Sequence, residues 1–284
     1  MKFTKMQGCG NDYIYINESE EKIPAGGKAC LVKRMSDRHY GIGGDGVVFI
    51  RACFDADFEM EVYNADGSRA EMCGNGVRCV AKYVYEKGMT RKTKLVIKSC
   101  GRKIYTELFT EDGAVSSVRV NMGTPLFSAD AVPVTGCKYR MRVVREPIKA
   151  AGRLFKMTCV SMGNPHTVVF VEDVQRFPVD QTGPCFECHP RFPRRTNVEF
   201  VQVLDRATIC MRVWERGSGE TCACGTGACA AVAACVLNGL TDAAVTVKLL
   251  GGQLKIEWDL KRNLLFMQGP AETVFEGEYR YPQV

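Results

Sequence analysis

The sequence predicts an α/β (α+β) protein built as two similar halves, and three observations lead there. First, part of the chain recurs. Tyr63-Asn64-Ala65-Asp66-Gly67 and Met72-Cys73-Gly74-Asn75-Gly76 are answered 151 positions later by Trp214-Glu215-Arg216-Gly217-Ser218 and Ala223-Cys224-Gly225-Thr226-Gly227. The same offset pairs Gly46-Val47-Val48-Phe49 with Asn197-Val198-Glu199-Phe200 and Gly88 with Gly239, while Gly10-Asn11 meets Gly163-Asn164 at an offset of 153. Second, each half sets short alternating apolar and polar runs around a helix-like stretch, a mixture of strand and helix periods. Third, 284 residues with 46% hydrophobic and 25% charged side chains suit two globular domains of ordinary size.

Along the first half, Tyr13-Ile14-Tyr15-Ile16 reads as a strand after the Gly8-Cys9-Gly10 break, and Ala29 to Met35 as a short helix. The glycine-rich Gly41-Ile42-Gly43-Gly44-Asp45-Gly46 turns into a strand from Val47 to Arg51, and Phe58 to Tyr63 alternates as a half-buried strand does. A helix opens at Cys73 and runs to about Lys87, with Val77, Val80, Ala81 and Val84 on one stripe and Gly88 as its C-terminal cap. Strands follow from Lys94 to Leu108 and from Val115 to Met122. The second half repeats the order. Strands run from Phe155 to Ser161, Thr167 to Val171, Val198 to Val203 and Ala207 to Trp214; a helix runs from Cys224 to Gly239. The strands Val245 to Leu249, Gln253 to Trp258 and Leu264 to Gln268 close the half. Gly123-Thr124-Pro125 marks the junction.

Composition excludes several classes. The net charge of +6 is too weak to imply nucleic acid. Lys138 to Lys156 is locally basic and reads as the solvent face of a strand pair around a Pro147 turn. The uncharged run Thr221 to Thr241 is long enough to suggest a membrane span, but its side chains are mostly small, so a buried, closely packed helix is the better reading. The first residues have no apolar core and no cleavage site, so a cytoplasmic protein is expected. In such a reducing compartment most of the 15 cysteines are expected to be buried, unbridged thiols.

The duplication singles out two of them. Cys73 and Cys224 each open a glycine-rich helix. A duplicated half that supplies one thiol per copy suggests two thiols facing each other, suited to removing a proton from one face of a carbon and returning one to the other. The carbanion formed on the way needs stabilisation, and no metal cluster or cofactor-binding lysine motif is evident. Gly74-Asn75 and Gly225-Thr226 can instead bracket a substrate carboxylate with backbone N–H groups and helix ends. The same helix ends are expected to lower the thiol pKa. One cysteine then acts as thiolate base and the other as thiol acid, and the roles swap with the direction of inversion.

These residues resemble the diaminopimelate epimerase family. The resemblance rests on Gly10-Asn11-Asp12-Tyr13, Asp37-Arg38-His39-Tyr40-Gly41-Ile42-Gly43, Tyr63-Asn64-Ala65-Asp66-Gly67-Ser68 and Met72-Cys73-Gly74-Asn75-Gly76-Val77-Arg78-Cys79. It continues through Gly163-Asn164-Pro165-His166, His189-Pro190-Arg191-Phe192-Pro193 to Asn197-Val198, and Glu215-Arg216-Gly217 to Ala228, in family order. It implies two pseudo-symmetric domains, each a curved, mostly antiparallel sheet wrapped around a central helix, with the active site in the cleft between them. The last strand would return to the first domain, giving residues 1–121 with 269–284 for the half carrying Cys73 and 122–268 for the half carrying Cys224. The implied activity is cofactor-independent epimerisation of LL-2,6-diaminopimelate to the meso isomer by a two-base thiol pair, serving lysine and peptidoglycan precursors. The implied partners are a small-molecule substrate and a second copy of the chain, with no nucleic acid and no membrane. By resemblance Cys73 and Cys224 are the catalytic pair, and Gly74, Asn75, Gly225 and Thr226 hold the reacting carboxylate. Asn11, Asn64, Asn164, Asn197, Glu215 and Arg216 then contact the substrate, largely at its distal centre. Arg216 can grip a carboxylate with two parallel hydrogen bonds. His166 and Glu215 are candidates to tune the thiols, and a purely structural role for His166 stays open. Two departures stand out. Cys222 replaces a larger apolar residue and could form an adventitious disulfide or half a metal site. Gly46 stands where some members place a polar side chain near the substrate.

Other readings compete. Cys185-Phe186-Glu187-Cys188-His189 fits the haem-attachment pattern, which requires export. It also offers half of a zinc site, with no second half nearby in sequence. A proline or hydroxyproline racemase shares the two-thiol design, but its small cyclic substrates leave Asn64, Asn197 and Arg216 unused. A redox sensor would use the Cys73/Cys224 pair as a reversible disulfide.

Overall fold

The computed structural model describes residues 1–21, 23, 27–70, 74–137 and 141–280. In chain order the elements are β1 (Lys2–Gly8), β2 (Asn11–Asn17), α1 (Lys28–Ser36), β3 (Gly46–Ala52), β4 (Phe58–Asn64), α2 (Gly74–Glu86), β5 (Lys94–Ser99), β6 (Arg102–Glu111) and β7 (Ala114–Gly123). There follow β8 (Glu146–Ala150), β9 (Arg153–Ser161), β10 (Pro165–Phe170), α3 (Val179–Glu187), β11 (Asn197–Asp205), β12 (Thr208–Glu215) and β13 (Gly219–Thr221). The chain closes with α4 (Gly225–Leu237), β14 (Ala244–Leu249), β15 (Gly252–Asp259), β16 (Leu264–Gly269) and β17 (Glu272–Glu278). These fall into two compact units, Met1–Val120 with Gly269–Val284, and Asn121–Gln268.

Each unit has the same internal plan. In the first, strands pair in the order β17, β1, β2, β3, β4, β5, β6, β7; only β2–β3 and β4–β5 are parallel. In the second the order is β8, β9, β10, β11, β12, β14, β15, β16, with β10–β11 and β12–β14 parallel. The short β13 adds to β12. The duplication extends to register. Tyr13 lies opposite Gly46 as His166 lies opposite Asn197, and Phe58 opposite Ile97 as Ile209 opposite Val247. One connection differs: the edge strand beside β9 is its chain neighbour β8, whereas the edge strand beside β1 is β17, from the far end of the chain.

A helix lies at the centre of each plan. α2 packs on β1, β2, β5 and β6, and α4 on β9, β10, β11, β12, β14 and β15. The sequence of α4, GTGACAAVAACVL, is buried from Gly227 to Cys235. Small side chains let six strands approach this helix, and an apolar surface all round demands such enclosure. Among the described residues no helix is long and apolar enough to cross a membrane. α1 and α3 cover the opposite side of their sheets. Leu31, Val32 and Met35 of α1 pack with Ile14, Ile16, Val47 and Phe49. Phe186 of α3 meets Phe200 edge-on, with ring centroids 6.1 Å apart. Gly183 lets α3 lie against Trp214, whose Cγ would be 2.5 Å from any β-carbon there.

Three readings of the sequence need correction. The run Lys94 to Leu108 is two strands, because Cys100-Gly101, at φ 46° and 77°, makes a two-residue hairpin turn that twists with its strands. The turn in the basic stretch is Ala151-Gly152, at φ 47° and 73°, and Pro147 sits inside β8. That strand pairs on one side with β9, and an edge position tolerates a residue without an N–H. Lys138 and Arg140 of that stretch lie outside the described residues. Finally α3 is a helix where the sequence pattern predicts none, although it lies 151 positions after α1 from first residue to last.

Candidate active site

In the second unit the site grows from the start of α4. Cys224 is the N-cap, in extended conformation, and its Sγ accepts the Gly227 N–H at 3.4 Å. Thr226 Oγ1 also lies 3.4 Å from the sulfur. The first amides of a helix have no carbonyl partner within it, so they and the capping sulfur form one polar focus. The thiol is buried, and burial pushes its pKa well above the ordinary value. The carboxylates of Glu215 and Glu199 push it further up, against the Thr226 hydroxyl and the Gly227 N–H. The sequence argument expected a lowered pKa from the helix end. Desolvation and two nearby carboxylates outweigh that end, so Cys224 rests as a thiol.

Behind the cysteine lies a buried acid–imidazole pair. His166 Nδ1 is 2.6 Å from Glu199 Oε1, and both side chains are fully buried. His166 Nε2 is 3.0 Å from Asn164 Oδ1, and Asn164 Nδ2 donates to Thr226 Oγ1 at 3.3 Å. A hydrogen-bonded chain therefore runs from Glu199 through His166, Asn164 and Thr226 to the sulfur. Burial raises the Glu199 pKa above the usual carboxylate range, although His166 opposes it. Asn197 is fastened at both ends of its amide: Nδ2 donates to Pro165 O at 2.8 Å, and Oδ1 accepts the Arg216 N–H at 2.9 Å. Glu215 Oε1 accepts the Thr221 hydroxyl at 2.5 Å. Arg216 is exposed, and one of its guanidinium N–H groups reaches Arg194 O at 3.1 Å.

The first unit arranges the matching residues at the start of α2, which begins at Gly74. Cys73 lies outside the described residues. Asn75 Nδ2 donates to Asn11 Oδ1 at 3.3 Å, the counterpart of the Asn164–Thr226 bond. Asn11 in turn donates to Asp45 Oδ2 at 2.7 Å, and Arg38 bridges Asp45 and Asp12. The fully buried Arg78 holds Asn75 Oδ1 at 2.9 Å and Pro270 O at 3.0 Å, tying α2 to the returning C-terminal segment. Asn64 Nδ2 donates to Ser68 Oγ at 3.0 Å.

A family model described as diaminopimelate epimerase matches residues 3–127 and 158–274. This chain belongs to the diaminopimelate epimerase family. A relative of that name from Agathobacter rectalis is 53% identical over 283 residues, covering 98% of this chain and 99% of its own. Another from Acetivibrio thermocellus is 51% identical over 278 residues, covering 98% of each. The fold is shared more widely. A solved PhzF-family phenazine biosynthesis protein from Bacillus anthracis superposes with a TM-score of 0.71 at 14% identity, covering 99% of both chains.

For this member of the diaminopimelate epimerase family, the structure gathers His166, Asn164, Thr226, Gly225 and Cys224 around one helix start, and Asn11, Gly74 and Asn75 around the other. Glu199 is the residue that sequence reasoning missed. Its signal was the mismatch inside the repeat: an acid in the apolar run Val198-Glu199-Phe200-Val201, where the first copy has Val48. Gly46 admits no side chain, since a β-carbon there would lie 1.9 Å from Tyr63 O. A substrate contact at 46 is thus closed by the strand pairing itself. His189 uses both ring nitrogens locally, on Lys149 O at 3.2 Å and the Arg191 N–H at 3.1 Å. Cys185, Cys188 and Cys222 are exposed. Among the described residues no group of three or more His, Cys, Asp or Glu side chains is placed to hold a metal ion.

Proposed function

We propose that the chain interconverts LL- and meso-2,6-diaminopimelate without a cofactor, using Cys73 and Cys224 as a two-base pair. In one direction the Cys73 thiolate takes the Cα proton and the Cys224 thiol gives its proton to the opposite face. The carbon leaves inverted, with the proton now on Cys73 and the charge on Cys224. The reverse reaction uses the swapped pair, and exchange with solvent resets it. We assign the reacting carboxylate to the N–H groups of Gly225 and Thr226 and of Gly74 and Asn75, where helix ends favour an anion. Its negative charge grows as the carbanion forms, so fixed dipoles there stabilise the transition state more than the ground state. Asn11, Asn64, Asn164, Asn197, Glu215 and Arg216 take the substrate's remaining polar groups, with Arg216 on the distal carboxylate and Glu215 toward an ammonium. Such a two-ended set favours diaminopimelate over a cyclic amino acid.

The observation that carries this reading is Cys224 itself. It is a buried thiol at a helix start, held by the Gly227 N–H and kept protonated by its surroundings, as an acid awaiting a carbanion must be. The test is hydrogen exchange at Cα. Reduced protein is incubated with LL-diaminopimelate in D2O and followed by NMR, with L-proline in a parallel sample. Deuterium at Cα with formation of the meso isomer supports the proposal. Exchange of proline alone moves the reading to a racemase, and exchange of neither returns the cysteines to a structural or redox role.

A further inference from the structure

The imidazole of His166 is fully buried and meets an oxygen at each nitrogen: Glu199 Oε1 at 2.6 Å from Nδ1 and Asn164 Oδ1 at 3.0 Å from Nε2. The Asn164 amide is oriented by its own N–H bond to Thr226, so its Oδ1 accepts. A neutral imidazole carries one N–H, and here it goes to Asn164. The contact with Glu199 then requires a second proton, carried on Nδ1 or on the carboxyl oxygen. The pair is therefore neutral as a whole, whether as imidazolium with carboxylate or as imidazole with carboxylic acid. Glu199 Oε1 also borders the same small space as the thiol. It would be 2.7 Å from a β-carbon at Gly227, and Cys224 Sγ would be 3.3 Å from the same point. The second carboxyl oxygen, Oε2, is buried with no hydrogen-bond partner among the described residues, an arrangement a lasting negative charge would make costly.

We propose that Glu199 is a positioning residue for Cys224: with His166 it stores one proton beside the thiol and keeps Cys224 in its thiol form between turnovers. Should the pair lose that proton at high pH, the carboxylate charge left beside the sulfur opposes thiol ionisation in turn. Besides Glu199, β12 contributes Glu215, and α4 carries no charged residue over its length, only the buried thiols Cys229 and Cys235. The buried positions of β9, β14 and β15, which pack on α4, are uncharged, with Cys159 the one thiol among them. Opposite the pair across the sheet stand Val160 and Val213, both apolar and buried.

The inference rests on the proposed acid role of Cys224, but its test does not need turnover. Wild-type protein and Glu199→Gln are alkylated with iodoacetamide over a pH series, and modification of Cys224 is read by peptide mass spectrometry. A glutamine amide can donate to Nδ1 but stores no proton and leaves no charge. The Cys224 midpoint is expected to fall by about one pH unit or more, because in wild type the pair gives up its proton before the thiol does and the carboxylate charge then opposes the thiolate, whereas glutamine leaves no charge there. A merely structural glutamate would lower thermal stability and leave the midpoint in place, which would overturn the proposal. Nitrogen-15 NMR of the wild-type protein keeps the test independent of the variant's folding. His166 is expected to show protonated Nε2 and a far-downfield proton shared at Nδ1. A bare Nδ1 with no such proton would equally overturn it. Failure of Cα exchange in wild type with the midpoint shift intact would refute the function and spare the dyad.

Discussion

Replacing Gly227 with alanine is the sharpest test of the geometry around Cys224. The new β-carbon would meet Glu199 Oε1 at 2.7 Å, Cys224 Cβ at 3.2 Å and Cys224 Sγ at 3.3 Å, where ordinary contacts begin at 3.4 Å. The sulfur side needs a give of a tenth of an ångström or two, whereas the carboxylate must retreat by about 0.7 Å to regain ordinary contact. It is not free to do so, because His166 holds that same oxygen at 2.6 Å in a fully buried pocket. Overpacking of this kind costs about 1–3 kcal/mol. Alanine recovers up to about 1 kcal/mol through its better helix propensity. The net loss is then about 0–3 kcal/mol, and with about 2–4 °C per kcal/mol the melting temperature falls by at most about 12 °C. Catalysis should suffer more than stability. The clash acts on the two atoms whose positions set the thiol, and misplacement approaching an ångström costs up to about 100-fold in rate. The assay pairs a thermal melt with Cα deuterium exchange from LL-diaminopimelate. A variant that melts as wild type and turns over as wild type would refute the crowding of Glu199 Oε1 and Cys224 Sγ around Gly227.

Other predictions follow from the same structure. Cys73→Ser and Cys224→Ser should each abolish two-way epimerisation while far-ultraviolet circular dichroism stays native, and Cys185→Ser and Cys188→Ser, at exposed positions, should leave exchange rates unchanged. Arg78→Met removes a fully buried guanidinium that holds Asn75 Oδ1 and Pro270 O, so denaturant unfolding should show a loss of about 3 kcal/mol or more; a loss below about 1 kcal/mol would show that the segment after β16 is anchored by other means. Stability should also fall at high pH. Cys159 and Cys235 are held as thiols up to about 12 by burial, whereas unfolded thiols ionise near their ordinary value. Between about pH 9 and 12 the unfolded chain gives up protons that the folded chain keeps, so stability declines with rising pH by up to about 1.4 kcal/mol per unit for each thiol. Denaturation of wild type and of Cys159→Ala at pH 8 and 10 should show a shallower decline in the variant; equal slopes would contradict the assignment.

Much of this was legible in the sequence because a duplication repeats whatever local geometry demands. The matched glycines, the helix starts at Gly74 and Gly225 and the strand ahead of each are set by neighbours within a few residues, and they survive in both copies. The same offset of 151 relates α1 to α3. Its helical pattern is hidden by Pro184 and Gly183, and the glycine is there to clear Trp214, a partner far away in sequence. What only the tertiary structure decided is the state of the thiol. A helix end beside a cysteine argues for a thiolate, and that argument is local. The opposite answer comes from burial beneath six strands and from two carboxylates that β11 and β12 bring to the sulfur. Desolvation and long-range charge depend on the whole surroundings of an atom, and no spacing along the chain records them.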